Sequence, residues 1–269
     1  MERTRSSPAA LRSPLMRHPS GAPGNMASSL WRLVGAIAVA VTFTRGACSA
    51  TEAIDSASLT ADQILRRVAE VYAGCRSYRD SGIVKTVFIQ SWGKHTVEKA
   101  FRTAFVRPDQ FRFEYYEEGE PLDRFVIWGQ GEKARTWWGI EPGIQDARTV
   151  ACALAAATGV SGGSARRIPG LLLTERIEAG WDISRLKNLE RLDDSKLRGA
   201  DCMRVRGATS SSHSDMVVLW IAKTTFLIRR IDETTQFDDF RTEDTTTYEP
   251  RIDTDIPVNL LDFGLSLPR

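Results

Sequence analysis

From residue 60 onward, the apolar positions of the chain change period twice. Ile64, Leu65, Val68, Val71, Tyr72 and Cys75 recur at helical spacing. Thr60-Ala61-Asp62-Gln63 ahead of them fits the S/T-x-x-Q capping box that opens helices, so one amphipathic helix that covers an apolar surface is predicted here. The period then drops to two. "SGIVKTVFIQ", "TVEKAFRTAFVRP", "QFRFEYYEEG", "DRFVIWG" and "KARTWWG" are rich in β-branched and aromatic residues and are separated by Gly, Pro or charged turns, which reads as successive strands. A second group follows, in "LERLDD", "CMRVRG", "DMVVLWIA", "FLIRRID" and "TTTYEPR". The short spacings make consecutive strands antiparallel neighbours. Alternation sets Phe111, Phe113 and Tyr115 on one face with Arg112, Glu114 and Tyr116 on the other, and puts Phe101, Thr103 and Phe105 together. Trp137 and Trp138 must face opposite sides of their strand.

Between the strand groups lies a helical interlude. "DARTVACALAAAT" (146–158) predicts an alanine-rich helix that begins at an acid and is stopped by Gly159 as a left-handed residue. A second helix is expected in "IPGLLLTERI", with Pro169 in its first turn. Gly159-Val160-Ser161-Gly162-Gly163 matches G-x-S-x-G, but a nucleophile elbow needs a strand before the serine and a helix directly after it. Here a helix precedes. The general base would have to be His95 or His213, both in polar, turn-like surroundings. A glycine-rich hinge between two helices fits better than a serine hydrolase, and no catalytic residue is assigned.

The chain before residue 60 adds an address. Residues 1–25 are rich in Ser, Pro and Arg without apolar period, and Met26 marks an alternative start. Arg32, the apolar run Leu33–Phe43 and the small residues ending at Ala50 form an export signal, and the run is short of the about 20 residues of a membrane span. The expected organisation is a cleaved leader (1–50), a linker (51–59) and one domain (60–269). The protein is then periplasmic, an uncleaved anchor facing the periplasm being the alternative. A lipid-attachment reading of Cys48 is disfavoured by the charge at Arg45.

Removing the leader changes the charge. Six arginines and one acid go with it, which leaves 30 basic and 33 acidic side chains, a net of −3. This excludes a basic nucleic-acid footprint. Cys75, Cys152 and Cys202 remain, with no C-x-x-C spacing and only two histidines, which argues against a metal centre. Three thiols in an oxidising compartment allow one bridge. Cys75–Cys202 is the pairing expected, with Cys152 free; three buried apolar thiols are the alternative. Asp238, Asp239, Glu243 and Asp244 lack the glycine and the spacing of a calcium loop and read as a solvated hairpin tip. No cofactor is implied.

Several of these stretches together carry a resemblance. "RRVAEVYAGCRSYRDSGIVKTVF", "FRTAFVRPDQFRFEYYE", "AAATGVSGGSARRIPGLLL" and "LWIAKTTFLIRRI" followed by "TTTYEP" look like exported bacterial proteins related to the LolA-like outer-membrane lipoprotein-sorting family. The resemblance spans about Ala61 to Phe263. It implies a mainly β fold, a curved, unclosed antiparallel half-barrel with helices packed in its concave face. It also implies binding and carriage of lipids or lipid-modified proteins by a monomer, rather than catalysis. Phe101, Phe105, Phe111, Phe113, Tyr115, Trp128 and Trp137 are then expected to line an apolar cavity that meets acyl chains, with Gly159, Gly162 and Gly163 as the hinge of a helical lid. A non-transporting envelope scaffold or binding module with its own protein partners is the second class, and an enzyme the third.

Overall fold

The structure is a computed structural model that describes residues 56, 58–117, 120–174, 183–209 and 216–263. The export leader, most of the 51–59 linker, the "ERI" end of the second predicted helix and His213 lie outside the described residues.

Helix α1 (Ala61–Gly74) begins at the predicted capping box: the Gln63 amide donates to the Thr60 hydroxyl, and the Thr60 amide to Gln63 Oε1 at 2.8 Å. Its Ile64, Leu65, Val68 and Tyr72 are buried. At its other end Arg107 donates to the carbonyls of Tyr72 (3.1 Å) and Cys75 (2.9 Å), satisfying acceptors that a helix end leaves open.

Two meanders follow. The first is β1 (Ser77–Gln90), β2 (Gly93–Val106), β3 (Gln110–Glu117), β4 (Glu120–Gln130), β5 (Lys133–Trp138) and β6 (Glu141–Ala147). The second is β7 (Lys187–Leu197), β8 (Ala200–Ala208), β9 (Met216–Ala222), β10 (Ile228–Gln236) and β11 (Phe240–Tyr248), with a short β12 (Arg251–Ile252). They join through antiparallel pairing of β1 with β11, giving one 12-stranded sheet in the order β6-β5-β4-β3-β2-β1-β11-β10-β9-β8-β7, with β12 beside the start of β1. β6 and β7 are unpaired edges, so the sheet is unclosed. Helices α2 (Val150–Thr158) and α3 (Ser164–Leu172) come from the interlude between the meanders and pack, with α1, on one face. An unclosed antiparallel sheet with helices packed on one face is the architecture that was expected.

The registers fix which side chains face the helices. Phe101 lies opposite Tyr115, Thr103 opposite Phe113 and Phe105 opposite Phe111, and beyond them Tyr115 meets Phe125 and Phe113 meets Ile127. With Tyr78, Val84, Val205, Leu219 and Tyr248, these form one continuous core with the buried faces of the helices. Gly82 makes room for it: a Cβ there would lie 2.4 Å from the Phe101 ring. The outer face is charged. Glu114, 2% exposed, accepts from Arg112 at 2.7 Å and Arg124 at 2.6 Å, and Arg204 and Arg230 lie against the Trp220 ring.

Three local expectations are corrected. Asp146 does not begin a helix: it lies in β6 opposite Arg135, and α2 is capped by Thr149, whose hydroxyl accepts from the Cys152 amide. Pro142 and Gly143 hide this strand, and proline is tolerated on such an edge. Pro169 is inside α3 rather than in its first turn. Glu243 and Asp244 belong to β11, not to the hairpin tip.

Candidate functional site

The polypeptide between α2 and α3 crosses the concave face as a tight turn. The Ser161 amide bonds to the Ala157 carbonyl, and the Gly163 amide to that of Thr158. Gly162 (φ 56°) and Gly163 (φ 80°) are left-handed. A Cβ at Gly162 would stand 2.5 Å from Val84 Cγ1, so this turn rests directly on the sheet and only glycine fits. Gly159, by contrast, is right-handed (φ −66°, ψ −38°) and has open space where a side chain would go. α2 therefore ends at Gly159 as expected, but the left-handed residues of the turn are Gly162 and Gly163.

Ser161 is 1% exposed. Its hydroxyl donates to the Thr158 carbonyl at 3.3 Å and accepts the Ala165 amide at 3.2 Å, so it links the end of α2 to the start of α3. His95 stands on the β1–β2 hairpin, stacked on Phe88. The motif serine is a structural joint.

Beside this turn lies a cavity of about 580 Å³. One wall is the α2–α3 turn, from Thr158 to Gly163. The sheet supplies Val84, Phe88 and Val97 from β1 and β2, Tyr115 and Trp138 from β3 and β5, and Phe237 and Phe240 from the β10–β11 hairpin. A smaller cavity of about 350 Å³ adjoins it, sharing Tyr115, Trp138 and Val160 and lined further by Phe125, Ala153 and Ala156.

The inner end of the larger cavity is charged. Arg167, its side chain 5% exposed, pairs with Glu233 through both Nε (3.2 Å) and Nη2. Arg166 Nη2 stands 4.0 Å from the same carboxylate. Opposite them, Thr86 donates to Asp244. Burial pushes the Asp244 carboxyl above its usual range, the Thr86 hydrogen bond opposes this, and the neighbouring Glu233 charge adds to it. Lys99 Nζ lies 5.7 Å from the Tyr115 ring centre.

Of the residues expected to line a cavity, Tyr115 lines both of the cavities just described. Phe101, Phe105, Phe111 and Phe113 are at most 1% exposed and packed: Phe101 stacks on Phe113 and meets Tyr248 edge-on at 5.4 Å. They are core beneath the helices. Trp128 and Trp137 stand on the other face of the sheet, because Trp128 pairs with Arg112 and Arg135, and Trp137 with Val126. Trp128 donates to the Leu261 carbonyl at 2.6 Å, and Trp138 is the tryptophan at the cavity. Sequence reasoning missed Arg166, Arg167, Glu233 and Asp244. Their one legible signal was that charged residues occupied inward positions of the strand and helix patterns.

The Cys75–Cys202 bridge is also corrected, since all three described cysteines are free. Met203 and Val205 on β8 face the core that holds Cys75, so alternation turns Cys202 to the opposite face. Cys75 Sγ bonds instead to the Tyr72 carbonyl at 3.2 Å, and Cys202 Sγ lies 3.7 Å from the Ala200 carbonyl. Cys152, in the first turn of α2, accepts a contact from Arg148 at 3.5 Å.

An open antiparallel half-barrel roofed by helices, with part of its concave face unfilled, defines the class of the protein. No protein-family profile and no curated protein matches the chain in sequence. Solved structures resemble it at low identity. A conserved protein from Thermus thermophilus is 11% identical, with 77% of this chain and 95% of that one covered at a TM-score of 0.43. The lipoprotein LppX of Mycobacterium tuberculosis is 12% identical, with 74% and 97% covered at 0.38. A LolA superfamily protein from Nitrosomonas europaea is 11% identical, with 76% and 98% covered at 0.34. Among the described residues no helix is long and apolar enough to cross a membrane, and no cluster of His, Cys, Asp or Glu is arranged to hold a metal ion.

Proposed function

We propose that the protein is an exported, non-enzymatic binder or carrier that holds a lipid, or the acyl chains of a lipid-modified protein, between its sheet and the α2–α3 turn. The cavity of about 580 Å³ carries this reading. It lies within the about 300–1,000 Å³ usual for small-ligand sites, and mostly apolar walls with a few convergent polar groups are the usual composition of such a site. The carrier role rests on the same cavity: Gly162 and Gly163 permit the turn that forms its wall, and this is the element whose displacement opens it. Native mass spectrometry of protein purified without detergent tests the proposal. A retained apolar adduct is expected, and protein that is ligand-free and ignores added lipid overturns it. Export is checked by fusing residues 1–60 to a periplasmic reporter.

A second reading, an envelope module that docks a protein partner, is favoured by one observation. Trp92 at the β1–β2 turn is 79% exposed, and tryptophan is enriched where a surface meets a partner. Trp92→Ser that loses co-purifying envelope proteins while keeping lipid binding would support it.

A further inference from the structure

On the face of the sheet turned away from the helices, a separate pocket of about 320 Å³ opens over β1, β2 and β3. Arg79, Arg102, Arg112 and Arg251 line it, around the small side chains of Ser81 and Ala104. The registers explain the gap. Arg251, Arg79, Ala104 and Arg112 lie in one row across β12, β1, β2 and β3, and the alanine leaves a space between arginine neighbours. Leu260 closes one side, on a segment tied to the sheet through the bond from Trp128 to the Leu261 carbonyl.

The charges around this pocket do not balance. Glu114 is the one carboxylate that serves Arg102 (3.7 Å), Arg112 (2.7 Å) and Arg124 (2.6 Å). Glu249 borders the pocket but pairs with Arg198 at 3.5 Å. Asp80 also borders it, with its carboxylate bonded to the Tyr78 hydroxyl and the Thr103 amide on the inner side. Arg79 and Arg251 have no ion pair among the described residues. They are direct partners in the β1–β12 register, and like charges set opposite each other destabilise a sheet. Arg112 adds a second cost. Its side chain is 9% exposed and its Nε has no hydrogen-bond partner, and a buried donor is expensive to leave unmet.

We infer that this pocket binds a phosphate group, whose oxygens offset the repulsion between Arg79 and Arg251 and offer Arg112 an acceptor. Planar guanidinium forks arriving from three strands suit a tetrahedral anion with oxygens in several directions better than a carboxylate with two in one plane. Both a soluble phosphate and the head of an anionic lipid carry this group. The site lies across the sheet from the ligand cavity, so its failure leaves the cavity reading untouched.

The test is thermal unfolding of the full protein in inorganic phosphate against chloride at matched ionic strength. Phosphate should raise the melting temperature with the concentration dependence of a single site. Arg79→Gln and Arg251→Gln should each weaken that binding roughly tenfold, the size of one charge-assisted hydrogen bond, and Arg79→Lys should keep part of it. Without phosphate neither glutamine variant should lower the melting temperature, because each removes half of a repelling pair. Stabilisation that is equal in wild type and variants is the general exclusion of phosphate from protein surfaces and overturns the proposal. Sedimentation with vesicles separates the two sources. Wild-type protein that pellets with mixed phosphatidylcholine and phosphatidylglycerol but not with phosphatidylcholine alone, and stops doing so as Arg251→Gln, identifies a lipid head. Phosphate binding without pelleting identifies a soluble phosphate, and the absence of both overturns the site.

Discussion

Near the turn between β2 and β3, the concave face carries Tyr78, Phe105 and Phe111, all at most 1% exposed. Further along the same strands, toward the β1–β2 hairpin, the same face carries Val84, Thr86, Val97 and Lys99 and borders a cavity. Both regions obey one alternation. They differ in what stands over them. At the first end, α1 and α3 bring Leu65, Tyr72, Ile168 and Leu171 down onto the aromatic rings, and the space is filled. At the other end the α2–α3 turn touches the sheet at Gly162 and α3 reaches β10 through the Arg167–Glu233 pair, and the space between them is left unfilled. Facing inward is therefore a necessary condition for lining a ligand site but not a sufficient one, since the roof decides between core and cavity.

The sharpest way to break this comparison is at the filled end. Phe105→Ala and Phe113→Ala remove fully packed rings, and each should cost about 3–5 kcal/mol of unfolding free energy. Chemical denaturation measures this. A loss below about 1 kcal/mol would mean that the ring borders open space and that the two ends are alike.

The second test uses the one carboxylate buried at the filled end. Asp80 accepts from the Tyr78 hydroxyl at 2.6 Å and the Thr103 amide at 3.0 Å. Burial raises its pKa to about 6, against the opposing pull of those hydrogen bonds. Because the folded state holds this proton more tightly than the unfolded state, its contribution to stability is full below the unfolded pKa near 4 and is lost as pH rises through about 6. Between pH 5 and pH 8 the protein should lose on the order of 2 kcal/mol. Asp80→Asn should flatten most of that slope, the residue coming from Asp244, whose carboxyl is shifted in the same direction. Glu114 and Asp194 are held below their usual range, by hydrogen bonds and charge from Arg112 and Arg124 and from Lys223 and Arg191, against the opposing effect of burial. Their contributions fade only on stronger acidification. A stability profile that rises from pH 5 to 8 would contradict this assignment.

At the border between the two regions, the glycines separate by conformation. Gly162→Ala forces a Cβ at φ 56° and against Val84, and should cost about 1–2 kcal/mol from backbone strain alone. Gly159→Ala, right-handed and unobstructed, should be neutral or stabilise by about 0.4–1 kcal/mol. Equal effects at both, measured by thermal unfolding, would show that the turn does not bear on the sheet.

Most strands, the first helix and the antiparallel order were legible because alternation and capping are local signals. The strand β6 was not, since Pro142 and Gly143 interrupt its pattern. Nor was the first half of β11, because a strand that borders a cavity need not be apolar: Thr242 and Asp244 face inward there. The aromatic face was legible and its depth was not. Phe111 and Phe113 show that they turn inward by their spacing, but whether a helix covers them depends on residues more than 50 positions away in α3. Arg167 was illegible for the same reason, as its carboxylate partner comes from β10.

The smallest expected effect on stability belongs to the open end, and it discriminates best between a ligand site and a packing defect. Val97 is partly exposed and faces the cavity from β2. Val97→Trp places a large ring into unoccupied space on a strand, where aromatic residues are favoured, so unfolding free energy should change by within about 0.5 kcal/mol. Overpacking a filled core would instead cost about 1–3 kcal/mol. The same variant should abolish binding of a dansyl-labelled fatty acid, because the ring takes the volume that an acyl chain needs. Unchanged stability with lost binding is the signature of a cavity kept open for a ligand. Unchanged binding would move the ligand away from β2 and toward the adjoining space under α2, where Phe125, Ala153 and Ala156 form the walls.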